Sequence, residues 1–249
     1  MSPREGHREP LPLISTPDLD SKEHGAIACA VEMTLVHNCF IRAINSIFYY
    51  APYVSEPRDI KDFLRFCQAF VSEISLHHKT EEDIIFPMWV KASNTPDLMN
   101  ENIEEHKTFE EGLHQLKQYT QNTESQAYRS EDLLAIMDQF IPILVQHLTS
   151  EIDSILAMRK YDGDKILATF RDGVNAAAAA ATKDEQFPFA LGCNDVTFEG
   201  GKHKFPDVPW ILIAVVKYWF ARTHKGAWRF CPSDMGGQPR KPFLGPNAQ

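Results

Sequence analysis

Apolar residues return every three or four positions over four long stretches of the chain, the spacing that lines up one face of an α-helix. The first stretch runs from about Lys22 to Tyr50, with Ala30, Met33, His37, Ile41, Ile44 and Phe48 on one face. It should end near Ala51-Pro52, because the residue before a proline is steered away from helical geometry. The second runs from about Pro57 to Ala92 along Phe63, Cys67, Phe70, Ile74, His77, Glu81, Ile84 and Met88. Pro57 suits a helix start, and Pro87 predicts a kink or break. The third, from about Asn100 to Gln121, carries Ile103, His106, Glu110, Leu113 and Leu116 near one face. The fourth, from about Ser130 to Arg159, carries Leu133, Met137, Phe140, Leu144, His147, Glu151, Ile155 and Met158, with Ser130 as the expected cap. The connections are short to moderate, which favours antiparallel neighbours. The pattern predicts an all-α fold, an up-and-down four-helix bundle over residues 23–161.

The flanks read differently. Residues 1–22 mix proline with both charges and predict a disordered segment. Residues 162–249 predict a C-terminal extension on or beside the bundle, partly helical, with a fifth helix at about Asp164–Ala181 and another at about Val208–Thr223. From Phe187 onward this extension is rich in aromatics, which suit capping the bundle, closing a pocket or forming a dimer surface.

The histidines change the picture. His37, His77, His106 and His147 each interrupt an apolar stripe, one per helix, and three have a carboxylate four residues later: Glu81, Glu110 and Glu151. Positions i and i+4 point the same way from a helix. One such histidine reads as an ordinary core residue; four converging on one interior read as a metal site, because burying so many ionisable groups is costly unless a cation pairs them. The seven candidate donors exceed the four of a structural zinc site. Mixed imidazole and carboxylate ligands suit iron, two ions bridged by carboxylates, with manganese as the other candidate. His78 and Glu82, about 100° round from their neighbours, are expected just outside the ligand set. His114, a further turn beyond Glu110, is the other third-helix candidate. His7, His24, His203 and His224 fall outside the pattern.

Composition narrows the classes. The chain has 249 residues, 43% hydrophobic and 24% charged, and a net charge of −9. That is ordinary globular composition, and the acidic balance argues against nucleic-acid binding. Five scattered cysteines without a C-x-x-C pair do not form a disulfide framework and fit a reducing compartment. No secretion signal stands at the start, and Trp210–Val216, the most apolar run considered, is far shorter than the ~20 residues of a membrane span. A cytoplasmic or nuclear protein, without a membrane partner, is expected; the oligomeric state is left open.

The string His77-His78-Lys79-Thr80-Glu81-Glu82-Asp83-Ile84-Ile85-Phe86-Pro87 resembles the HHxxEExxxFP signature of hemerythrin-like, HHE cation-binding domains. Val36-His37-Asn38, Glu105-His106-Lys107 and His147-Leu148-Thr149-Ser150-Glu151 match the rest of the pattern in order, over about residues 24–160, and the whole resembles fungal members. The resemblance implies a four-helix bundle around a non-heme di-iron centre, with His37, His77, Glu81, His106, His147 and Glu151 as ligands. The chain departs from oxygen-carrying members on the third helix, where Glu110 stands in place of a second histidine. A more anionic site suits O2 activation, so the expectation is an iron protein that uses O2 to oxidise a small organic substrate. The alternative is reversible binding or sensing of O2 or iron.

Overall fold

The computed structural model describes residues 8–17, 24–246 and 248. Among them the fold is all-helical, with an isolated bridge between Ser233 and Pro239 in place of any strand. The long elements are α1 (Gly25–Tyr50), α2 (Pro57–Thr80), α3 (Phe86–Ser93), α4 (Asn100–Asn122), α5 (Ser130–Ala157) and α6 (Gly163–Ala180). Two short helices follow, α7 (Gln186–Cys193), which the sequence pattern does not anticipate, and α8 (Trp210–Tyr218). The helix ends follow local chemistry. His24 caps α1, its Nδ1 accepting from Ala26 N at 3.2 Å. Pro57 opens α2. Asp162 caps α6 through Lys165 N. Ser130 is the first helical residue of α5 rather than its cap, which is Arg129.

Pro87 does not break the second stretch. Between α2 and α3 the chain widens into a π-helical turn, Glu81–Ile85, whose Phe86 N–H reaches back to Glu81 O. In a regular α-helix the Pro87 ring would meet the carbonyl of Asp83; the wide turn lies where that clash would fall. Such turns recur at functional sites, and this one carries a carboxylate of the expected set.

Helix α4 packs on α5, α5 on α1, and α2 on α4, while α6 lies across α1 and α3. The apolar side chains separate into two buried clusters. One joins Phe40, Ile44, Phe63, Phe70, Phe109, Leu113, Phe140 and Leu144 to Phe189 and Phe230 of the C-terminal part. The other joins Ala30, Met33, Phe86, Trp89, Ile152 and Ile155 to Ile166 and Phe170. The residues beyond 161 thus complete both clusters rather than trailing from a finished bundle.

The segment expected to be disordered is partly an arm docked on α1. Asn38 and Asn45, two turns apart on α1, each exchange a pair of hydrogen bonds with it: Ile14 N to Asn38 Oδ1 at 2.8 Å and Asn38 Nδ2 to Ile14 O at 2.9 Å, then Leu11 N to Asn45 Oδ1 at 2.8 Å and Asn45 Nδ2 to Leu11 O at 3.0 Å. By length and hydropathy alone, Gly25–Tyr50 and Ser130–Lys160 would suffice to cross a membrane, two stretches the sequence reading passed over. The apolar window of α1 is instead 78% buried inside the protein. Helix α8 and its C-cap Trp219 leave Trp210, Ile211, Tyr218 and Trp219 exposed.

Candidate metal centre

On α1, α2, α4 and α5 the buried histidines fall near where the chain passes from one apolar cluster to the other. His37 lies between Met33 and Phe40, and His77 to Glu81 lie between Ile74 and Ile85. His106 lies beside Phe109, and Glu151 stands next to Ile152. The seam of the core is polar, and it holds seven side chains in two abutting groups. His37, His77, Glu81 and Glu151 place ligand atoms within 4.8 Å of one another, and so do His78, His106 and His147. The carboxylates join the groups. Glu81 Oε1 lies 3.0 Å from His77 Nε2, and its Oε2 lies 3.7 Å from His106 Nε2. Glu151 Oε2 lies 3.3 Å from His37 Nε2 and 3.8 Å from His147 Nε2.

Six of the seven expected donors meet here: His37, His77, Glu81, His106, His147 and Glu151. Glu110 does not; it is exposed, as is His114. The buried residues of α4 are Asn102, His106, Phe109, Leu113, Leu116 and Thr120, so the inward face lies on the Phe109 side of His106. Glu110 is about 40° round on the other side, and His114 about 80°. His78, expected outside, supplies the seventh donor. It continues a second buried stripe on α2, Ile60, Leu64, Cys67, Val71 and Ile74, and that spacing was the signal available in the sequence. Glu82 does stand just outside, and Glu105, which sequence reasoning did not single out, stands there too.

Those outer groups set the imidazole tautomers. His106 Nδ1–H donates to Glu82 Oε1 at 2.6 Å, and His147 Nδ1–H donates to Glu105 Oε2 at 2.8 Å. His37 Nδ1–H donates to the carbonyl of Leu148 at 2.7 Å. Each assignment leaves Nε2 as a bare lone pair pointed inward. His106 Nε2 and His147 Nε2 are 3.1 Å apart, and His37 Nε2 and His77 Nε2 are 3.2 Å apart. The facing lone pairs of His106 and His147 repel unless something electropositive lies between or beside them.

The carboxylates make the same demand. All four oxygens of Glu81 and Glu151 are sealed from solvent without a hydrogen-bond donor, and so is His78 Nε2. Burial holds His77 and His147 down at about 4, and holds His78 well below its ordinary value, helped by the surrounding imidazoles. Burial, reinforced by Glu151, drives Glu81 well above the carboxylate range. Burial also pushes Glu151 up, but His37, His147 and His77 outweigh it and bring it down to about 2. Five imidazoles around two carboxyl groups, with buried ligand atoms converging and lacking donors, make the donor set of a cation site. Aromatic rings wall it: Phe40 against His77, Phe109 against His78 and His147, and Phe86 against His106, with centroids 5.1 to 6.0 Å apart. The His77 side chain, 13% exposed, is the most accessible of the seven.

The comparisons agree with this geometry. A protein named dimeric xanthone biosynthesis cluster protein R11, from Cryptosporiopsis sp. (strain 8999), is 39% identical over 235 residues, 93% of this chain and 90% of its own length. No solved structure matches significantly. The hemerythrin HHE cation binding domain model matches residues 31–158, which span all seven converging donors and the outer carboxylates that orient them. With cation-ligand chemistry, sequence pattern and a near-full-length relative pointing one way, the chain belongs to the hemerythrin HHE cation-binding family.

Proposed function

We propose that this protein is a non-heme di-iron protein that uses O2 to oxidise a small organic substrate. In this reading α1, α2, α4 and α5 run up and down as a four-helix bundle, and the C-terminal extension seals it. The observation that carries the metal part is the convergence of Glu81, Glu151 and five histidines whose inward atoms lack hydrogen-bond donors or face one another. His37, His77, Glu81 and Glu151 would hold one ion and His78, His106 and His147 the other. Iron in such a site supplies electrons to O2. The chain's own part is to fix the imidazole tautomers through Glu82, Glu105 and the Leu148 carbonyl, and to exclude water with phenylalanine rings. The named xanthone-cluster relative supports a small-molecule substrate.

The exposed position of Glu110 withdraws one ground for the enzyme reading, the more anionic site. A second reading, reversible binding or sensing of O2 or iron, is favoured by the five-histidine set. Among the described residues, four surface cavities of about 130–480 Å³ are bordered by other residues than the donors. The test has two stages. Elemental analysis of purified protein should find two irons per chain; a single zinc, or no metal after reconstitution with ferrous iron, overturns the di-iron proposal. The iron-loaded protein is then exposed to air with a reductant and candidate phenolic substrates. Catalytic O2 consumption with an oxidised product supports the enzyme, whereas a visible band that forms with O2 and vanishes on degassing, without turnover, supports carriage.

A further inference from the structure

The side of α1 turned away from the metal group carries a second polar feature that the proposed function does not use. Arg42 is five residues beyond His37, about 140° round the helix. It is 8% exposed, and its Nε and Nη2 are buried without a hydrogen-bond partner. Among the described residues it forms no ion pair. Its nearest company does not offset its charge: the guanidinium lies over the Phe198 ring, 5.2 Å from the centroid, and burial pushes the Cys39 thiol beside it up to about 12, leaving it neutral. A buried, unpaired guanidinium is costly, and natural proteins pair such charges.

Arg42 forms part of the wall of a cavity of about 360 Å³. Three parts of the chain build it. The face of α1 contributes Tyr49 and Tyr50, the docked arm contributes Leu13, and the C-terminal segment contributes Pro242 and Arg240. Arg240 is held by the carbonyls of Cys231 and Trp228 rather than by a carboxylate. The cavity is therefore mostly apolar, with two guanidiniums and no acidic side chain on its wall, and its volume falls within the ~300–1,000 Å³ of small-molecule sites. Asn45, which pins the arm through Leu11, also borders it, so the arm forms one side of this cavity.

We propose that this cavity binds a small aromatic carboxylate, its ring between the tyrosine, leucine and proline side chains and its carboxylate on Arg42. The site stands on the arginine and the cavity alone and does not depend on the metal reading.

The probe is 2-naphthoate, titrated calorimetrically into the full-length protein as purified, with 2-naphthamide and inorganic phosphate as comparisons. One naphthoate should bind per chain, raise the melting temperature and leave the visible spectrum unchanged, and the amide should bind at least about tenfold more weakly. Arg42→Gln should weaken naphthoate at least about tenfold, yet melt no lower than wild type without ligand, because it removes an unpaired buried charge. Leu13→Trp, which fills the cavity and spares the arginine, should also abolish binding. The proposal is overturned if wild type binds no naphthoate, if phosphate or the amide binds equally well, or if binding perturbs the spectrum and ignores Arg42→Gln. A lower melting point of ligand-free Arg42→Gln would overturn it too, by making Arg42 a structural residue.

Discussion

His106 and His147 come from different helices and meet with their Nε2 atoms 3.1 Å apart, each held from behind by its own carboxylate, Glu82 or Glu105. Two acceptors forced together in this way have value only with a cation in reach. The relationship makes the outer carboxylates testable. Glu105→Ala frees the His147 ring to rotate and to take the other tautomer. We expect metal affinity to fall by about 10–100-fold with the helical content unchanged, measured by competition with a chromophoric chelator. Unchanged affinity would mean that Glu105 does not orient a ligand.

His78 and Glu110 exchange roles between sequence expectation and structure, and the pair decides the composition of the site. His78→Ala should lower bound iron from about two to about one per chain, and Glu110→Ala should leave both iron and spectrum intact. Elemental analysis and the visible spectrum read the outcome. Iron lost from the Glu110 variant and kept by the His78 variant would restore the more anionic ligand set.

Helices α4 and α5 approach closely at Gly112. A Cβ there would lie 2.4 Å from Phe140 Cβ, far inside contact distance. Gly112→Ala must push the helices apart or move Phe140, at a cost of about 1–3 kcal/mol. The same displacement separates His106 from His147, so iron content should fall along with the melting temperature. A variant that melts normally and holds two irons would show that this close approach does not position the pair.

Glu73 on α2 gives a pH dependence that involves none of the donors. Its Oε2 is sealed without a partner, and burial, with a smaller push from Glu185, raises its carboxyl to about 8. A raised folded-state value means that the folded protein binds the proton more tightly than the unfolded chain. Glu73 is neutral in both states below about pH 4, and its ionisation then destabilises the fold increasingly as the pH rises toward 8. Glu73→Gln should therefore melt a few degrees higher than wild type at pH 8, about 1 kcal/mol or more, with the gain vanishing at pH 4. A gain of equal size at both pH values would trace it to something other than ionisation.

Removing metal should expose the strain in the seam. The five imidazoles and two carboxylates then face one another with nothing between them, and the chelator-treated protein should melt below the iron-loaded form in thermal scans. Equal melting points would argue that the seam tolerates its own lone pairs.

Much of this was determined by local order along the chain. The periodic stripes of α1, α2, α4 and α5, and the recurrence of histidine on each, follow from spacing, because residues three and four apart share a helical face wherever that helix goes. What spacing does not carry is the breadth of the face that becomes buried. On α2 both the Phe63–Phe70–His77 stripe and the Ile60–Val71–His78 stripe turn inward, because α4, α7 and the C-terminal segment cover it from several sides. On α4 the covered face is narrower and lies toward Phe109, which leaves Glu110 in solvent. A one-dimensional pattern records only where apolar residues recur, so it ranked Glu110 above His78. Glu105 and the arm, unlike Glu82, were out of reach. Glu105 meets His147 and Asn38 meets Ile14 across long sequence separations, and those contacts exist only after the helices have chosen their neighbours.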